Sequence, residues 1–376
     1  MRFTALDSWR GICALMVALY HAPIEAPMRN TPLIGNGFLY VDFFFVLSGF
    51  VMTHAWAARI TDSASALRFL IRRWGRLWPL HAATLAFLLA LECVKFVAGQ
   101  AGLWHGGAFQ GGNTGWALLT NLLLIHAWHL HQDIYWNFPG WSVSTEWAAY
   151  LVFAGVVLAT GRGWIAAITA IGLACAAAFL WLSPETVDAT FNYGVLRCLA
   201  AFALGVLTHG AWSRLRDLPA PAASALQAVA LASVVLALLY LGSGLASHLA
   251  LLPFALAVLA FAFPAGALAR PLAIAPMRAL GDWSYSIYLN HTCVIMVMKM
   301  IATFGLLIFA PSWLHMRDDA LIFSAGWLSN LAIIAYASAL IAISSLTYRW
   351  IEQPAQGWFN RIASGRLPPA PLSAVT

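Results

Sequence analysis

The sequence predicts an all-α fold, a polytopic bundle of about ten membrane-spanning helices. Of its 376 residues, 62% are hydrophobic and 9% are charged, whereas soluble domains average about 25% charged residues. The mean hydropathy is +0.78. The apolar stretches are long and interrupted by glycine and proline, and they do not alternate as the strands of outer-membrane barrels do. A helical integral membrane protein is therefore expected.

Windows of about 20 apolar residues locate the predicted helices. They lie near residues 7–24, 41–58, 77–97, 141–160, 164–182, 192–212, 222–242, 248–268, 279–309 and 321–347. The apolar segment from Trp116 to Trp128 is too short to cross a bilayer, so we expect it to lie at the interface or to re-enter the membrane. The membrane domain is predicted over residues 1–360, and residues 361–376 are expected to form a short cytoplasmic tail.

Basic residues set the predicted orientation, because arginine and lysine concentrate on the cytoplasmic side of a membrane. With the N-terminus inside, 15 of the 20 basic residues fall on that side, namely arginines 2, 10, 59, 68, 72, 73, 76, 162, 214, 216, 270, 278, 349, 361 and 366. We therefore expect an inner-membrane protein with both termini in the cytoplasm. The same bias explains the pI of 9.2, and no basic cluster predicts a nucleic-acid partner.

Two ionisable residues share one face of the first predicted helix. Arg10 and His21 are eleven residues apart, which places them about 20° apart around the helix and roughly 16 Å apart along it. Because an ionisable side chain within a membrane helix is costly, it marks a functional site by default. The alternative is that Arg10 reaches the inner headgroups while His21 caps the helix at the other side.

Further acidic and polar residues fall at the predicted depth of His21. Asp42 begins the second helix, and the fourth helix begins with the segment from Trp141 to Glu146. Both helices enter from the outer side, and Ser142 and Glu146 lie one turn apart. The alternatives are a helix-dipole charge for Asp42, an N-cap for Ser142 and a polar bridge between helices for Glu146.

Three arginines mark the predicted inner edge of the third helix. Arg72, Arg73 and Arg76 precede Pro79, and Arg73 and Arg76 are one turn apart. Planar guanidinium groups suit two-pronged binding of phosphate. The alternative is that the three residues only satisfy the positive-inside rule.

Four motifs in this order resemble those of the acyltransferase 3 family of integral-membrane acyltransferases, over most of the chain. They are Leu6-Asp7-Ser8-Trp9-Arg10-Gly11 followed by His21, the segment 41–50 (VDFFFVLSGF), Arg72-Arg73-x-x-Arg76-x-x-Pro79, and Trp141-Ser142-x-Ser144-x-Glu146. Weaker similarity follows in segments 197–205, 284–291 and 348–354. The sequence departs from the family pattern at residues 147–149, which are less polar than expected, and at Asn290, where an aromatic residue is common.

The resemblance implies O-acyl transfer by an acyltransferase 3-like membrane domain over residues 1–360. The acyl group, usually acetyl, would pass from cytoplasmic acyl-CoA to a hydroxyl group of a carbohydrate acceptor such as an exopolysaccharide, an O-antigen or a lipid-linked glycan. It also implies that His21 is catalytic and that Arg73 and Arg76 bind the donor. The sequence identifies neither the acceptor molecule nor the oligomeric state.

These expectations define a predicted site and a mechanism. The site comprises the catalytic residues His21, Asp42 and Glu146, the donor-binding residues Arg10, Arg72, Arg73 and Arg76, and the acceptor-binding residues Trp141, Ser142 and Ser144. His21 would take the proton of the acceptor hydroxyl, since an imidazole has a pKa suited to that task. Either Asp42 or Glu146 would fix the tautomer of His21. Covalent transfer through an acyl-histidine is a competing version.

Other kinds of protein and site account less well for the sequence. A proton-coupled transporter would also use intramembrane histidine, acidic and arginine residues, but it usually has paired repeats, which we do not find. His126, His129 and His131 lie close together but match no strong zinc spacing, so no metal is predicted. The five cysteines lie in apolar runs without metal-ligand spacing and are expected to be buried, unpaired thiols.

Overall fold

The computed structural model describes residues 2–102, 107–302, 314–317, 320–323 and 325–365. Helices dominate this part of the chain, as predicted. In chain order the elements are α1 (Thr4–Tyr20), α2 (Pro32–Gly35), α3 (Tyr40–Trp56), α4 (Ser63–Gln100), α5 (Gly115–Leu122), α6 (Gly140–Thr160), α7 (Trp164–Leu182), α8 (Gly194–Arg214), α9 (Ala220–Tyr240), α10 (Leu251–Phe261), α11 (Ala269–Leu272), α12 (Ala275–Asp282), α13 (Ser284–Ile301), β1 (Leu314–Arg317), β2 (Ala320–Phe323), α14 (Gly326–Thr347) and α15 (Gln353–Ala363).

Six helical segments of the described residues are long and apolar enough to cross a membrane. They are Gly37–Arg59, Ser63–Gln100, Gly140–Leu182, Gly194–Arg214, Ala220–Tyr240 and Gly326–Ala363. The predicted count of about ten is not confirmed, since α1 has 17 residues, α10 has 11, and only a short turn separates α6 from α7. The chain is a multi-pass helical membrane protein.

Helix α4 begins well before the predicted span at residue 77. A capping box starts it, because the Asp62 carboxylate accepts the Ser65 N–H at 2.7 Å and the Ser65 hydroxyl accepts the Asp62 N–H at 3.0 Å. Its 38 residues extend about 57 Å, which exceeds a hydrocarbon core of about 30 Å. The arginine-rich first half of α4 is thus continuous with its apolar half.

A two-stranded hairpin corrects the prediction that helix covers residues 321–347. Strands β1 and β2 pair antiparallel with Leu314 opposite Phe323, and α14 begins only at Gly326. Leu321 donates its N–H to the Pro23 carbonyl at 2.8 Å and accepts the Glu25 N–H at 3.0 Å. Hydropathy alone does not separate a short apolar strand from a helix. The hairpin anchors the chain just after His21.

Two other predicted boundaries also shift. The predicted span 279–309 is divided between α12 and α13, and residues 303–309 lie outside the described residues. The predicted tail boundary at residue 361 falls inside α15, which continues to Ala363. The rest of that tail, residues 366–376, lies outside the described residues as well.

Glycines bring α3 and α8 into direct backbone contact. A methyl group at Gly49 would overlap the carbonyl oxygen of Phe202, and one at Gly205 would overlap that of Val46. Small residues let membrane helices approach closely enough to pack along their backbones. This contact holds α3 beside α8, while α3 on its other side lines the central cavity.

Candidate active site

A central cavity opens between α1, α3, α4, α6 and α13. Its volume is about 330 Å³. Each of these helices contributes polar side chains to the lining, namely Asp7 and Arg10 from α1, Ser48 and His54 from α3, Arg73 and Arg76 from α4, Ser142, Glu146 and Tyr150 from α6, and Ser284, Tyr285 and Tyr288 from α13. Four arginines (with Arg2) face two carboxylates in this lining, so the cavity suits an anionic ligand.

Arg10 and Arg76 are held in place by polar neighbours. Arg10 lies 3.2 Å from the Asp7 carboxylate and donates to the Ser284 hydroxyl at 2.9 Å. Arg76 lies 3.3 Å from Glu352 and 5.8 Å from the centre of the Tyr285 ring. Each guanidinium has five N–H donors, so these contacts leave donors available for a ligand.

Arg73 lines the same cavity with part of its guanidinium unsatisfied. Its Nε is buried and has no hydrogen-bond partner among the described residues. A buried donor without a partner costs free energy, and such an atom is commonly satisfied by water or by a bound ligand. Arg73 is therefore the cavity residue that we most expect to bind an anion.

Glu146 belongs to this cavity and not to the surroundings of His21. Its carboxylate accepts hydrogen bonds from the Ser48 hydroxyl at 2.8 Å and from the Tyr150 hydroxyl. The sequence placed Glu146 at the depth of His21, but no hydrogen bond joins the two in the described part of the chain. The carboxylate instead offsets some of the positive charge of the arginines.

Two histidines, His21 and His291, lie outside the cavity lining but next to its residue Tyr288. The hydroxyl oxygens of Ser142 and Tyr288 lie 2.8 Å apart and share a hydrogen bond. The Tyr288 ring centre is 5.9 Å from that of His291, and His291 stacks on His21 at 5.1 Å with an angle of 17°. Phe138 lies against both imidazoles, 4.7 Å from His21 and 5.2 Å from His291.

The tautomer of His21 is set by a backbone carbonyl. Its Nδ1 lies 2.9 Å from the carbonyl oxygen of Val17, one turn back along α1. Because a carbonyl can only accept, Nδ1 carries the proton and the lone pair of Nε2 is available. We expected Asp42 or Glu146 to fix the tautomer of His21. In the structure the Val17 carbonyl does so instead.

Asp42 pairs with Arg197 of α8. Both side chains are 2% exposed, and two guanidinium nitrogens meet the two carboxylate oxygens at 2.8 and 3.0 Å. Arg197 also donates to the carbonyl of Phe38 at 3.0 Å. Arg197 thus bonds both carboxylate oxygens of Asp42, and no hydrogen bond between Asp42 and His21 is found among the described residues. An isolated arginine within a predicted span was the signal for such a partner.

Three further predicted site residues do not line the cavity. Arg72 lies 5.5 Å from the centre of the Trp56 ring and 3.3 Å from the Ser364 hydroxyl. Trp141 packs against the guanidinium of Arg197 at 5.6 Å. Ser144 donates to the Leu124 carbonyl at 2.9 Å and accepts the Ala127 N–H at 3.2 Å, and so fastens the chain that follows α5. Of the three predicted acceptor-binding residues, Ser142 alone reaches the cavity.

The clustered histidines at 126, 129 and 131 separate in the structure. The His129 ring bonds the Asn192 carbonyl at 3.0 Å, and the His131 ring lies 2.7 Å from the Thr120 hydroxyl. His126 stacks on His81 with ring centres 5.6 Å apart. No group of three or more potential metal ligands is found among the described residues.

Several residues of the cavity were missed at the level of sequence. They are Ser48, Tyr150, Ser284, Tyr285 and Tyr288 in the lining, with His291 and Glu352 beside it. Part of this was readable, because Ser284, Tyr288 and His291 fall within about 60° on one face of a helix. Tyr150 was readable too, because it lies one turn from Glu146 on α6. Ser48 carries no such signal, since its role depends on meeting Glu146 across two helices.

Comparison with known proteins yields one family. The family model of acyltransferase 3, described as an acyltransferase domain, matches residues 3–349. No solved structure matches the chain.

Proteins from three bacteria are similar in sequence to the chain. The chain is 31% identical over 159 residues to "Protein 2 in picA locus" of Rhizobium radiobacter, a match that covers 41% of the chain and 81% of the relative. It is 32% identical over 163 residues to acyltransferase MdmB of Streptomyces mycarofaciens, a match that covers 41% of the chain and 38% of the relative. It is 28% identical over 322 residues, covering 80% and 74%, to BcsY of Komagataeibacter xylinus, whose name proposes a membrane-bound transacylase.

Proposed function

Because the chain belongs to the acyltransferase 3 family and is a membrane acyltransferase, we propose that it moves an acyl group, usually acetyl, from acyl-CoA to a carbohydrate hydroxyl. The observation that carries this proposal is the cavity with arginines at one end and the stacked pair His21–His291 beyond the other. Such an arrangement suits a donor that has an anionic head and a reactive thioester tail. The alternative of a proton-coupled transporter has no comparable support.

The phosphates of the donor fit the arginine end of the cavity. Phosphates do not enter hydrocarbon without compensation, and Arg10, Arg73 and Arg76 provide it at one level. The unsatisfied Nε of Arg73 is a donor ready for a phosphate oxygen. From there the pantetheine arm would run past Ser142 and Tyr288 towards the histidines.

His21 is proposed to act as the general base. Its Nε2 lone pair takes the proton from the acceptor hydroxyl while the hydroxyl oxygen attacks the thioester carbonyl carbon. The carbon–sulfur bond breaks, and the thiolate of CoA receives the proton that His21 took up. The Val17 carbonyl keeps the ring in the required tautomer throughout. An acyl-histidine route would use the same Nε2 as nucleophile.

The acceptor is proposed to be a glycan reaching the histidines from the side opposite the arginines, in the inner membrane. The names of two relatives, an acyltransferase and a proposed membrane-bound transacylase, give the class of reaction and name no acceptor. An exopolysaccharide, an O-antigen or a lipid-linked glycan would each present the required hydroxyl group.

A His21→Ala variant tests this function. The reconstituted protein is given acetyl-CoA as donor, with methyl glycosides or water as acceptor. The rate at which the variant releases CoA thiol should be roughly a hundredfold to ten-thousandfold below that of the wild type, which is the contribution of a general base. His248→Ala is the matched control, since His248 lies outside the cavity lining and its ring bonds the Leu245 carbonyl at 3.2 Å. Wild-type thiol release by the His21 variant would remove His21 from the mechanism, and no release by the wild type would refute the proposed function.

A further inference from the structure

His291 has two ring nitrogens that form no well-aligned hydrogen bond with the protein. The residue is fully buried, and neither Nδ1 nor Nε2 forms such a bond within the described part of the chain, although the backbone of Ile287 and Tyr288 lies beside the ring. A neutral imidazole has one N–H donor and one acceptor. Since buried polar groups are nearly always satisfied, a molecule from outside the chain is expected to meet at least one of them.

The neighbours of His291 explain why the chain does not satisfy it. The His21 ring lies nearly parallel at 5.1 Å, and an N–H that points along its own ring plane cannot bond a ring stacked above it. Phe138 covers a second side with a hydrocarbon face at 5.2 Å, and Tyr288 contributes its ring at 5.9 Å. The Tyr288 hydroxyl is already bonded to Ser142.

The charge on His21 during the reaction sets the role of its neighbour. When His21 takes up the hydroxyl proton it becomes an imidazolium, and a second positive charge on a ring 5.1 Å away is disfavoured. His291 therefore stays neutral and acts through its N–H. Negative charge develops at the same moment on the carbonyl oxygen of the thioester.

We propose that His291 is a second catalytic residue, a neutral donor whose ring N–H binds the carbonyl oxygen of the acyl group as it becomes negative. This inference rests on the proposed function and adds a residue to it. No bond to His291 forms or breaks: the hydroxyl proton goes to His21 Nε2, the thiolate leaves, and the N–H of His291 only stabilises the oxyanion.

Two substitutions separate this role from packing. His291→Phe keeps a flat ring against His21 and Phe138 but has no N–H, whereas His291→Gln keeps an N–H and loses the ring. For CoA release from acetyl-CoA we expect the Phe variant to lose roughly a hundredfold to a thousandfold in kcat, as for one oxyanion donor, with KM little changed. The Gln variant should recover at least about tenfold of that loss.

A packing role predicts the reverse order, so a Phe variant as active as the wild type, or more active than the Gln variant, would overturn the proposal. Equal losses in the two variants would overturn it too. His81→Gln is the matched control, because His81 is equally buried but bonds the Asn121 carbonyl at 3.1 Å and stacks on His126, away from His21.

The proposed function and this inference fail in different ways. If the wild type releases no CoA, the function is refuted. If the wild type is active, His21→Ala is inactive and His291→Phe is fully active, the function stands and only the role of His291 is refuted. Thermal unfolding and calorimetric binding of CoA establish that each variant is folded.

Discussion

At the residue scale, the cavity separates arginines that look alike in the sequence. Arg73 and Arg76 line it, whereas Arg72 turns away to Trp56 and Ser364. The first two guanidinium groups face the cavity, where we propose that they bind the donor, whereas the third packs against a ring and a hydroxyl outside it. Arg72 can therefore serve as a control for substitutions of Arg73 and Arg76, which the sequence motif alone does not reveal.

We predict that Arg73→Lys and Arg76→Lys weaken the binding of CoA. Lysine keeps the charge but loses the planar two-pronged geometry, and each lost charge-assisted contact costs about 1.5–3 kcal/mol, roughly tenfold to a hundredfold in Kd. A calorimetric titration of the reconstituted protein with CoA measures this.

Arg72→Lys is the control for that titration and should leave the affinity for CoA unchanged. The positive-inside rule treats the three arginines alike. If the Arg73 and Arg76 variants bind CoA as tightly as the wild type, the two arginines serve only to orient the protein in the membrane. The donor would then bind elsewhere.

At the scale of elements, α3 and α8 are joined by a charge pair as well as by glycines. Asp42 and Arg197 form a buried two-pronged ion pair near one end of the contact, and Gly49 and Gly205 let the backbones touch further along. Within a membrane the hydrophobic effect does not hold helices together, so close packing and polar pairs have to do so. The pair therefore maintains the wall of the cavity that α3 provides.

Asp42→Ala is predicted to lower stability, not to remove a catalytic group. It leaves the buried Arg197 charge with only the more distant carboxylate of Asp188 at 3.7 Å, which should cost up to about 3–5 kcal/mol in the free energy of unfolding. The double variant Asp42→Leu with Arg197→Leu should recover most of that loss. Unfolding in mixed detergent micelles measures both. A stable but inactive Asp42→Ala protein would instead restore Asp42 to the chemistry.

At the scale of the whole molecule, both described ends of the chain lie at the arginine end of the bundle. Arg2 pairs with Asp7 and Asp282 beside the cavity. In α15, Ser364 contacts Arg72, and Phe359 packs against Gly75 of α4. Because arginines concentrate on the cytoplasmic side of a membrane, we predict that both ends lie in the cytoplasm.

Reporter fusions test that topology. An alkaline phosphatase fused after Arg366 should be inactive, and one inserted within residues 101–110, beyond the far end of α4, should be active, because the enzyme works only outside the cytoplasm. A matched fluorescent-protein series should give the opposite pattern. Active phosphatase after Arg366 would reverse the orientation and place the arginine end of the cavity away from cytoplasmic acyl-CoA.

The sequence by itself determined the class of the molecule and five of the polar residues that line the cavity, namely Arg10, Arg73, Arg76, Ser142 and Glu146. These depend on local information: runs of apolar residues are set by the thickness of a bilayer, and motifs by their spacing along one helix. The placement of Arg10, Arg73 and Arg76 at one level followed from that information alone. So did the start of α6 at Gly140, one residue from its predicted boundary.

Only the tertiary structure decided which polar groups meet. Asp42, Glu146 and His21 fall at one predicted depth, yet depth does not fix the direction of a side chain around a helix. Asp42 meets Arg197, Glu146 meets Ser48, and His21 meets His291. Each pair joins helices distant in the chain, and the rotation of those helices is set by close contacts such as Gly49 on Phe202. The packing of the helices therefore determines which polar side chains contact each other, and no local sequence pattern encodes that packing.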